Sequence, residues 1–335
     1  MNTATKRAVL MLSALALTAS ACADGPREAD GLTTIRITVS NATEPYVIPW
    51  LVGNAEGIFA SYGVNVERII AGKGGSSTLR NLVSGDLAIG EVSLPAIVDA
   101  SHSDTPVTAV GGATRSVYGL DFYSMADRSF ADPADAKKWA YTTPRSVTES
   151  LTYLLPQRAG IDPASIERVH SGGIGEGIAL LESGAVDVSY VPSSVVAQQS
   201  DRFRKVVDSR MYLPDFQQSV ITVNNSYLDE HPDVVRGVLA GYQESVDWIA
   251  ANPDQAAGLY AADIAVDKEQ ARRIVDGAIA ADDWSVGLDK NALESAAEAL
   301  READPDLDIP WCTIFDLDYL PAGAARELPV ECGSK

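Results

Sequence analysis

Apolar and polar positions alternate along "TIRITVS" (Thr34 to Ser40), a β-branched run that predicts a first strand. The spacing then changes. "VIPWLVGNAEGIFASYG" places apolar residues at helical intervals and stops at Gly63, and "VNVERII" (Val64 to Ile70) returns to strand character. "AGKGGSSTLRNLVSGDLAIG" (Ala71 to Gly90) predicts a loop, a helix from about Ser76 to Val83, a turn at Ser84-Gly85-Asp86 and a strand through its apolar end. Strand, helix, strand, loop, helix, strand is the order of a parallel sheet with helices on both faces.

The phrase recurs. "KKWAYTTPRSVTESLTYLLPQRAG" predicts strand, polar loop and helix, and "IERVHSGGIGEGIALLESGAVDVSYVP" predicts strand, glycine loop, helix, turn and strand. Both "STLRNLVSGDLAIG" and "EGIALLESGAVDVSYV" run from a helix through Ser-Gly into a short acid-led strand, a loose internal echo that suggests two lobes built alike. "GLDFYSM" (Gly119 to Met125) leads out of the first lobe and "QQSVITVNN" (Gln217 to Asn225) leads back. The expected division is lobe 1 at 32–118 plus 226–335, lobe 2 at 125–217, and hinge crossings at 119–124 and 218–225. The rest reads as long helices, in "HPDVVRGVLAGYQESVDWIAANPDQAAGLYA", "KEQARRIVDGAIA" and "KNALESAAEALREA". Ligands of open α/β sheets sit at the carboxyl ends of the strands, where the loops of both lobes would meet.

The N-terminus changes this picture only at its edge. Lys6 and Arg7 precede the ten-residue apolar core "AVLMLSALAL", too short to span a bilayer, so residues 1–21 read as a signal peptide. Ala19 and Ala21 fit an ordinary cleavage site, while small residues before Cys22 also resemble a bacterial lipobox with Ala19 in place of its usual leucine. Both readings cut before Cys22. Lipidation is favoured, because a lone cysteine at a secreted N-terminus otherwise has no purpose, and 22–31 then serve as a polar tether. Once Cys22 is set aside, Cys312 and Cys332 form an even pair that an oxidising compartment would join; two buried free thiols are the other reading.

Charge removes whole classes of function. The chain has 26 Lys+Arg against 46 Asp+Glu, net −20, and cleavage after residue 21 takes two positive and no negative charges to leave −22. Such a chain repels phosphate backbones and anionic lipid, so no nucleic-acid partner is expected, and no membrane contact beyond the lipid at Cys22. His102, His170 and His231 show neither metal spacing nor a GxSxG partner, so no metal, no cofactor and no enzymatic activity are expected.

The glycine-rich stretch is not a nucleotide loop. Lys73 precedes Gly74 where GxxxxGK[ST] needs it after the last glycine, and Ser77 occupies the sixth position of a would-be GxGxxG. What remains is Gly74-Gly75-Ser76-Ser77 at a helix start. Bare N–H groups there would hold a ligand oxygen, or Ser76 would simply cap its helix.

In order and spacing, "EGIFASYGVNVERI", the glycine-serine loop, "LVSGDLAIG", "TTPRSVTESLTYLL", "AGIDPASIERVH", "LLESGAVDVSYV" and the long helix from His231 resemble the periplasmic solute-binding proteins of ABC importers, in the branch that takes nitrate, sulfonates, taurine or thiamine pyrimidine precursors. The match runs over nearly the whole mature chain. The resemblance implies an α/β, two-lobed type II periplasmic-binding-protein fold, with each lobe a mostly parallel sheet and a two-strand hinge between them. It also implies a monomer that closes on a small-molecule ligand and delivers it to ABC permease subunits at the outer face of the cell membrane. A pyrimidine synthase of the same fold would bring a cysteine-rich motif and an active histidine, and neither is found.

The expected ligand-binding residues are Tyr46 and Trp50 after the first strand, Gly74, Gly75, Ser76 and Ser77, then Glu91 and Ser93. In the second lobe they are Thr143, Arg145, Ser146 and Thr148, then Gly173, Ile174 and Glu176, and Tyr190 at a strand end. Tyr46, Trp50 and Tyr190 would supply stacking faces, and Glu91 an acceptor for an exocyclic amine, which favours an aminopyrimidine-like or other nitrogenous ligand. Arg145 and the helix starts would instead serve a sulfonate, taurine or nitrate.

Overall fold

The computed structural model describes residues 28–29, 31–84, 87–130 and 132–332. The signal segment, Cys22 and most of the tether lie outside the described residues, as do Gly85 and Asp86 of the expected turn. The end of the tether is not loose. Gly31, in the left-handed region at φ 79°, turns the chain so that β1 (Glu28–Ala29) pairs antiparallel with β2 (Leu32–Val39).

The first sheet continues with β3 (Val64–Ala71), β4 (Ile89–Ser93) and β5 (Val107–Gly112). The second holds β6 (Phe122–Met125), β7 (Lys138–Tyr141), β8 (Glu167–His170), β9 (Val188–Tyr190) and β10 (Phe203–Val207), in the order β10-β6-β9-β7-β8. β11 (Ser219–Asn224) returns to the first sheet between β4 and β5. β2 runs parallel to β3 and β4, and β7 runs parallel to β8 and β9. β11 is antiparallel to both neighbours, as is β6. The sheets are therefore mixed rather than mostly parallel. The helical crossovers supply the parallel half, while a strand that arrives from the other sheet enters from the opposite end.

Helices cover both sheets. α1 (Ile48–Ala55), α2 (Ile58–Ser61), α3 (Gly75–Ser84) and α4 (Leu94–Ser101) belong to the first. α5 (Val147–Arg158), α6 (Ile174–Ser183), α7 (Ser193–Gln198) and α8 (Ser209–Tyr212) follow on the second. The chain ends through α9 (Asn225–Glu230), α10 (Pro232–Ala251), α11 (Pro253–Ile264), α12 (Lys268–Ala280), α13 (Lys290–Ala303) and α14 (Trp311–Ile314). Starts are written in the sequence: Pro232 opens α10, and the carboxylates of Asp267 and Asp289 accept from the first-turn N–H groups of α12 and α13.

The passages between the sheets differ from the expected crossings. Phe122–Met125 is already a strand of the second sheet, and Ser219–Asn224 is a fully incorporated strand of the first. The links are 113–121 and 208–218. They lie side by side, with Phe216 N–H donating to the Arg115 carbonyl at 3.2 Å and Gln218 N–H to that of Thr114 at 2.9 Å. A third segment joins them: Ser285 N–H donates to the Ala113 carbonyl at 2.9 Å, and the Ser116 hydroxyl to buried Asp283 at 2.5 Å. Burial pushes the Asp283 carboxyl up to about 8, with the Ser116 hydrogen bond opposing.

The C-terminal segment is not confined to the first lobe either. α13 lies on α5, joined by the Arg158–Glu298 ion pair and by Gln157 Nε2 donating to Glu302 at 2.8 Å. Leu151, Leu154 and Leu155 share one apolar cluster with Leu293, Ala296 and Ala297.

Cys312 on α14 and Cys332, 20 positions apart in sequence, are joined, with Cα atoms 5.5 Å apart. On the chain-entropy model, closing such a loop stabilises by about 3 kcal/mol. Reduction, or replacement of both cysteines by serine, is expected to lower the urea unfolding free energy by about that amount. An unchanged midpoint would show that the link restrains nothing in the unfolded chain.

Candidate functional site

The carboxyl ends of β2, β3 and β4 face those of β7, β8 and β9 across a cavity of about 320 Å³. Its wall comes from both sheets. Thr43, Glu44 and Tyr46 follow β2, Lys73 to Gly75 follow β3, and Glu91 and Ser93 lie on β4. Thr142, Ser146, Val147 and Thr148 follow β7, Gly173, Ile174 and Glu176 follow β8, and Tyr190, Pro192 and Val195 follow β9. Leu120, Gln218 and Ser219 close the side where the chain passes between the sheets.

Eleven of the sixteen expected ligand residues line this cavity: Tyr46, Gly74, Gly75, Glu91, Ser93, Ser146, Thr148, Gly173, Ile174, Glu176 and Tyr190. Trp50, Ser76, Ser77, Thr143 and Arg145 do not.

Trp50 is fully buried in the core, its ring 4.9 Å from Tyr242 and 5.7 Å from Phe59. Its indole Nε1 donates to Glu91 at 2.9 Å. Glu91 also accepts from the Thr114 hydroxyl at 2.8 Å and the Ser219 hydroxyl at 2.6 Å. Burial raises its carboxyl above the usual range, and these three donors oppose that rise. Glu91 is thus a braced wall residue, with most of its accepting capacity already used by the protein.

The glycine-serine loop lines the cavity with Gly74 and Gly75 and also meets the other lobe. The Ser76 hydroxyl donates to the Pro144 carbonyl at 2.6 Å, and the Ser93 hydroxyl to the Arg145 carbonyl at 3.2 Å. The Ser77 hydroxyl accepts from Lys73 N–H at 2.6 Å and donates to the Gly74 carbonyl at 2.9 Å, closing its own turn. Thr143 presses on Gly74, whose φ of 140° suits only glycine. Arg145, itself in the left-handed region at φ 61°, forms an ion pair with Asp99. In α5, Ser146 caps the helix by accepting from Glu149 N–H at 3.2 Å, and Thr148 ties back to Thr142 N–H at 3.0 Å.

The sequence reading passed over Glu44 and Lys73. Glu44 is 3% exposed and its Oε1 has no hydrogen-bond partner. Burial pushes its carboxyl up to about 7, opposed by a hydrogen bond from the buried Tyr190 hydroxyl. Lys73 is the cation in the cavity wall. The available signal was positional, because Glu44 lies just beyond the carboxyl end of the first long strand, where ligands of α/β sheets sit.

Among the described residues no group of three His, Cys, Asp or Glu side chains could hold a metal ion, and no helix is long and apolar enough to cross a membrane.

Two mixed sheets flanked by helices, facing each other across a cavity at their strand ends, define the periplasmic-binding-protein fold. Residues 44–256 match the sequence profile of the family described as NMT1/THI5 like, and the chain belongs to that family. Solved structures share its fold. The ligand-binding component of an ABC-type import system from Staphylococcus aureus, solved with zinc bound, superposes with a TM-score of 0.70 at 11% identity, over 88% of this chain and 99% of that one. The periplasmic aliphatic sulphonate binding protein SsuA from Escherichia coli gives 0.66 at 15% identity, over 90% and 98%. The desulfurization enzyme DszB gives 0.59 at 16% identity, over 85% and 97%. Among curated proteins there is no match.

Proposed function

We propose that this protein is an extracytoplasmic solute-binding lipoprotein, which captures a small organic ligand between two lobes and delivers it to an ABC permease. The observation that carries this reading is the cavity, walled by loops of both sheets and bridged at its rim by Ser76–Pro144 and Ser93–Arg145. A ligand there touches both lobes at once, so binding favours the closed arrangement, with 113–121 and 208–218 as the hinge. The family and the import-system neighbours support a binding role over an enzymatic one. Residues 1–21 would be removed and Cys22 lipidated. Several acyl tails, at ~0.8 kcal/mol per buried CH₂, would hold the monomer beside its permease.

The ligand is read as nitrogenous and aminopyrimidine-like. Three carboxyl side chains, Glu44, Glu91 and Glu176, line the cavity against one lysine, and Arg145 is engaged with Asp99. One observation favours a sulfonate instead: the N-termini of α3, α5 and α6 border the cavity beside Lys73, and helix starts hold anions. A thermal-shift panel of aminopyrimidines, taurine, alkanesulfonates and nitrate separates the two. A compound at 100-fold excess over its Kd stabilises by about 2.7 kcal/mol. Aminopyrimidines are expected to raise the melting temperature and to be recovered unchanged. Shifts from sulfonates alone would reverse the ligand assignment.

A further inference from the structure

Glu44 and Tyr190 come from different sheets and meet only because the lobes meet. Glu44 follows β2 and Tyr190 ends β9; both are nearly inaccessible, and Oε1 of Glu44 has no hydrogen-bond partner. The titratable groups packed around Glu44 are Tyr46, Tyr190 and Tyr260 on α11. Each tyrosine hydroxyl is pushed above its ordinary range, first by burial and then by the charge of Glu44. The other charged side chains of the wall are Lys73, Glu91 and Glu176, and among the described residues none forms an ion pair with Glu44. A buried carboxylate that no cation answers is costly, and here the free oxygen belongs to a cavity wall.

We propose that Glu44 is the specificity-determining residue of the cleft: its burial makes closure over an empty or acceptor-only cavity unfavourable, and a ligand bearing an N–H donor or a cationic nitrogen removes that obstacle. The proposal rests on the solute-binding reading above. With the lobes apart, Glu44 faces water and ionises as an ordinary carboxyl. Closure buries it and raises its pKa from 4.5 to about 7, burial being the cause and the Tyr190 hydroxyl the smaller opposing influence. Because an acid's pKa rises on closing, empty closure takes up a proton between those values. It is least hindered below 4.5 and becomes progressively harder until the pH passes 7, with the closed-to-open ratio falling by a factor of about 300 overall. An N–H group set against Oε1 supplies the missing donor without that proton, so a nitrogenous ligand closes the cleft at neutral pH. An anion set against Oε1 would supply no donor and would add its charge to that of the Glu44 carboxylate.

Small-angle scattering of the ligand-free protein at pH 5.5 and pH 8 tests this without knowledge of the ligand. Between these values the closed-to-open ratio of the wild type is expected to fall roughly 30-fold, with a larger radius of gyration at pH 8. Glu44→Gln, neutral throughout, is expected to lose most of this response, the remainder belonging to Asp283 beside the links, whose carboxyl burial pushes up to about 8. Tyr190→Phe provides a second reading, because loss of its hydroxyl moves the midpoint of the wild-type response to higher pH. A wild-type radius that ignores pH, or a Glu44→Gln response equal to the wild type, overturns the proposal. Adding 4-aminopyrimidine, taurine and methanesulfonate at pH 8 keeps the two readings apart. If one of these contracts the wild type while the ligand-free radius ignores pH, the role of Glu44 falls and the solute-binding reading stands.

Discussion

Trp50→Ala is expected to lower the unfolding free energy by about 4 kcal/mol, the usual range for truncating a large aromatic in a core. The indole is fully buried between Phe59 and Tyr242, so its loss leaves a void that neighbours on α2 and α10 fill only in part. The same change removes one of three donors from buried Glu91. Trp50→Phe separates the two contributions. It retains a buried aromatic ring but deletes the N–H together with two ring carbons, and is expected to cost about 1–3 kcal/mol, less than the alanine variant. Urea unfolding of both variants gives the comparison. A loss below about 1 kcal/mol for the alanine variant would show that the ring is not the anchor its burial implies.

The second large effect belongs to Gly75. A Cβ added there would collide with the Ser93 hydroxyl and stand 2.6 Å from the Arg145 carbonyl of the facing lobe, closer than real side chains come. Its backbone is ordinary helix, but the Ser93 hydroxyl and the Ala96 Cβ belong to its own lobe, so part of the clash is present in either arrangement and only the Arg145 contact is added when the lobes meet. Overpacking typically costs about 1–3 kcal/mol, which here is shared between the first lobe itself and the closed state. Gly75→Ala is therefore expected to lower the melting temperature of the ligand-free protein, and any compound that stabilises the wild type is expected to bind it about 10-fold more weakly by calorimetry. Equal affinities would mean that this contact is not part of the bound form.

Local pattern carried the fold a long way. The alternating run at Thr34 to Ser40, the apolar run after Gly63 and the helical spacing of "STLRNLV" each became the element their spacing implies, because each is decided within a dozen residues. The antiparallel halves were not legible, since the direction of β11 is set by where its neighbours already lie and not by its own residues. The same division holds in the site. Tyr46, Gly75 and Tyr190 could be placed by their position at strand ends. Trp50 shares that neighbourhood, but its ring is claimed by Phe59 and by Tyr242, far along the chain. Glu44 reads as one more surface acid in "NATEPY", and becomes exceptional only when Tyr190, from another sheet, is laid over it.

The insertion of β11 between β4 and β5 also sets an order of assembly. Strands β6 to β10 occupy the continuous stretch from Phe122 to Val207, so the second sheet holds all its pieces as soon as that stretch exists. The first sheet does not. β5 has no neighbour until Ser219–Asn224 arrives, more than a hundred residues after β5 itself, and α5 waits still longer for α13 to cover its leucines. A chain that emerges N-terminus first therefore carries an unfilled gap through about a third of its synthesis. Such long-range pairing is slow and leaves apolar edges bare. The half of the molecule made first is the half finished last.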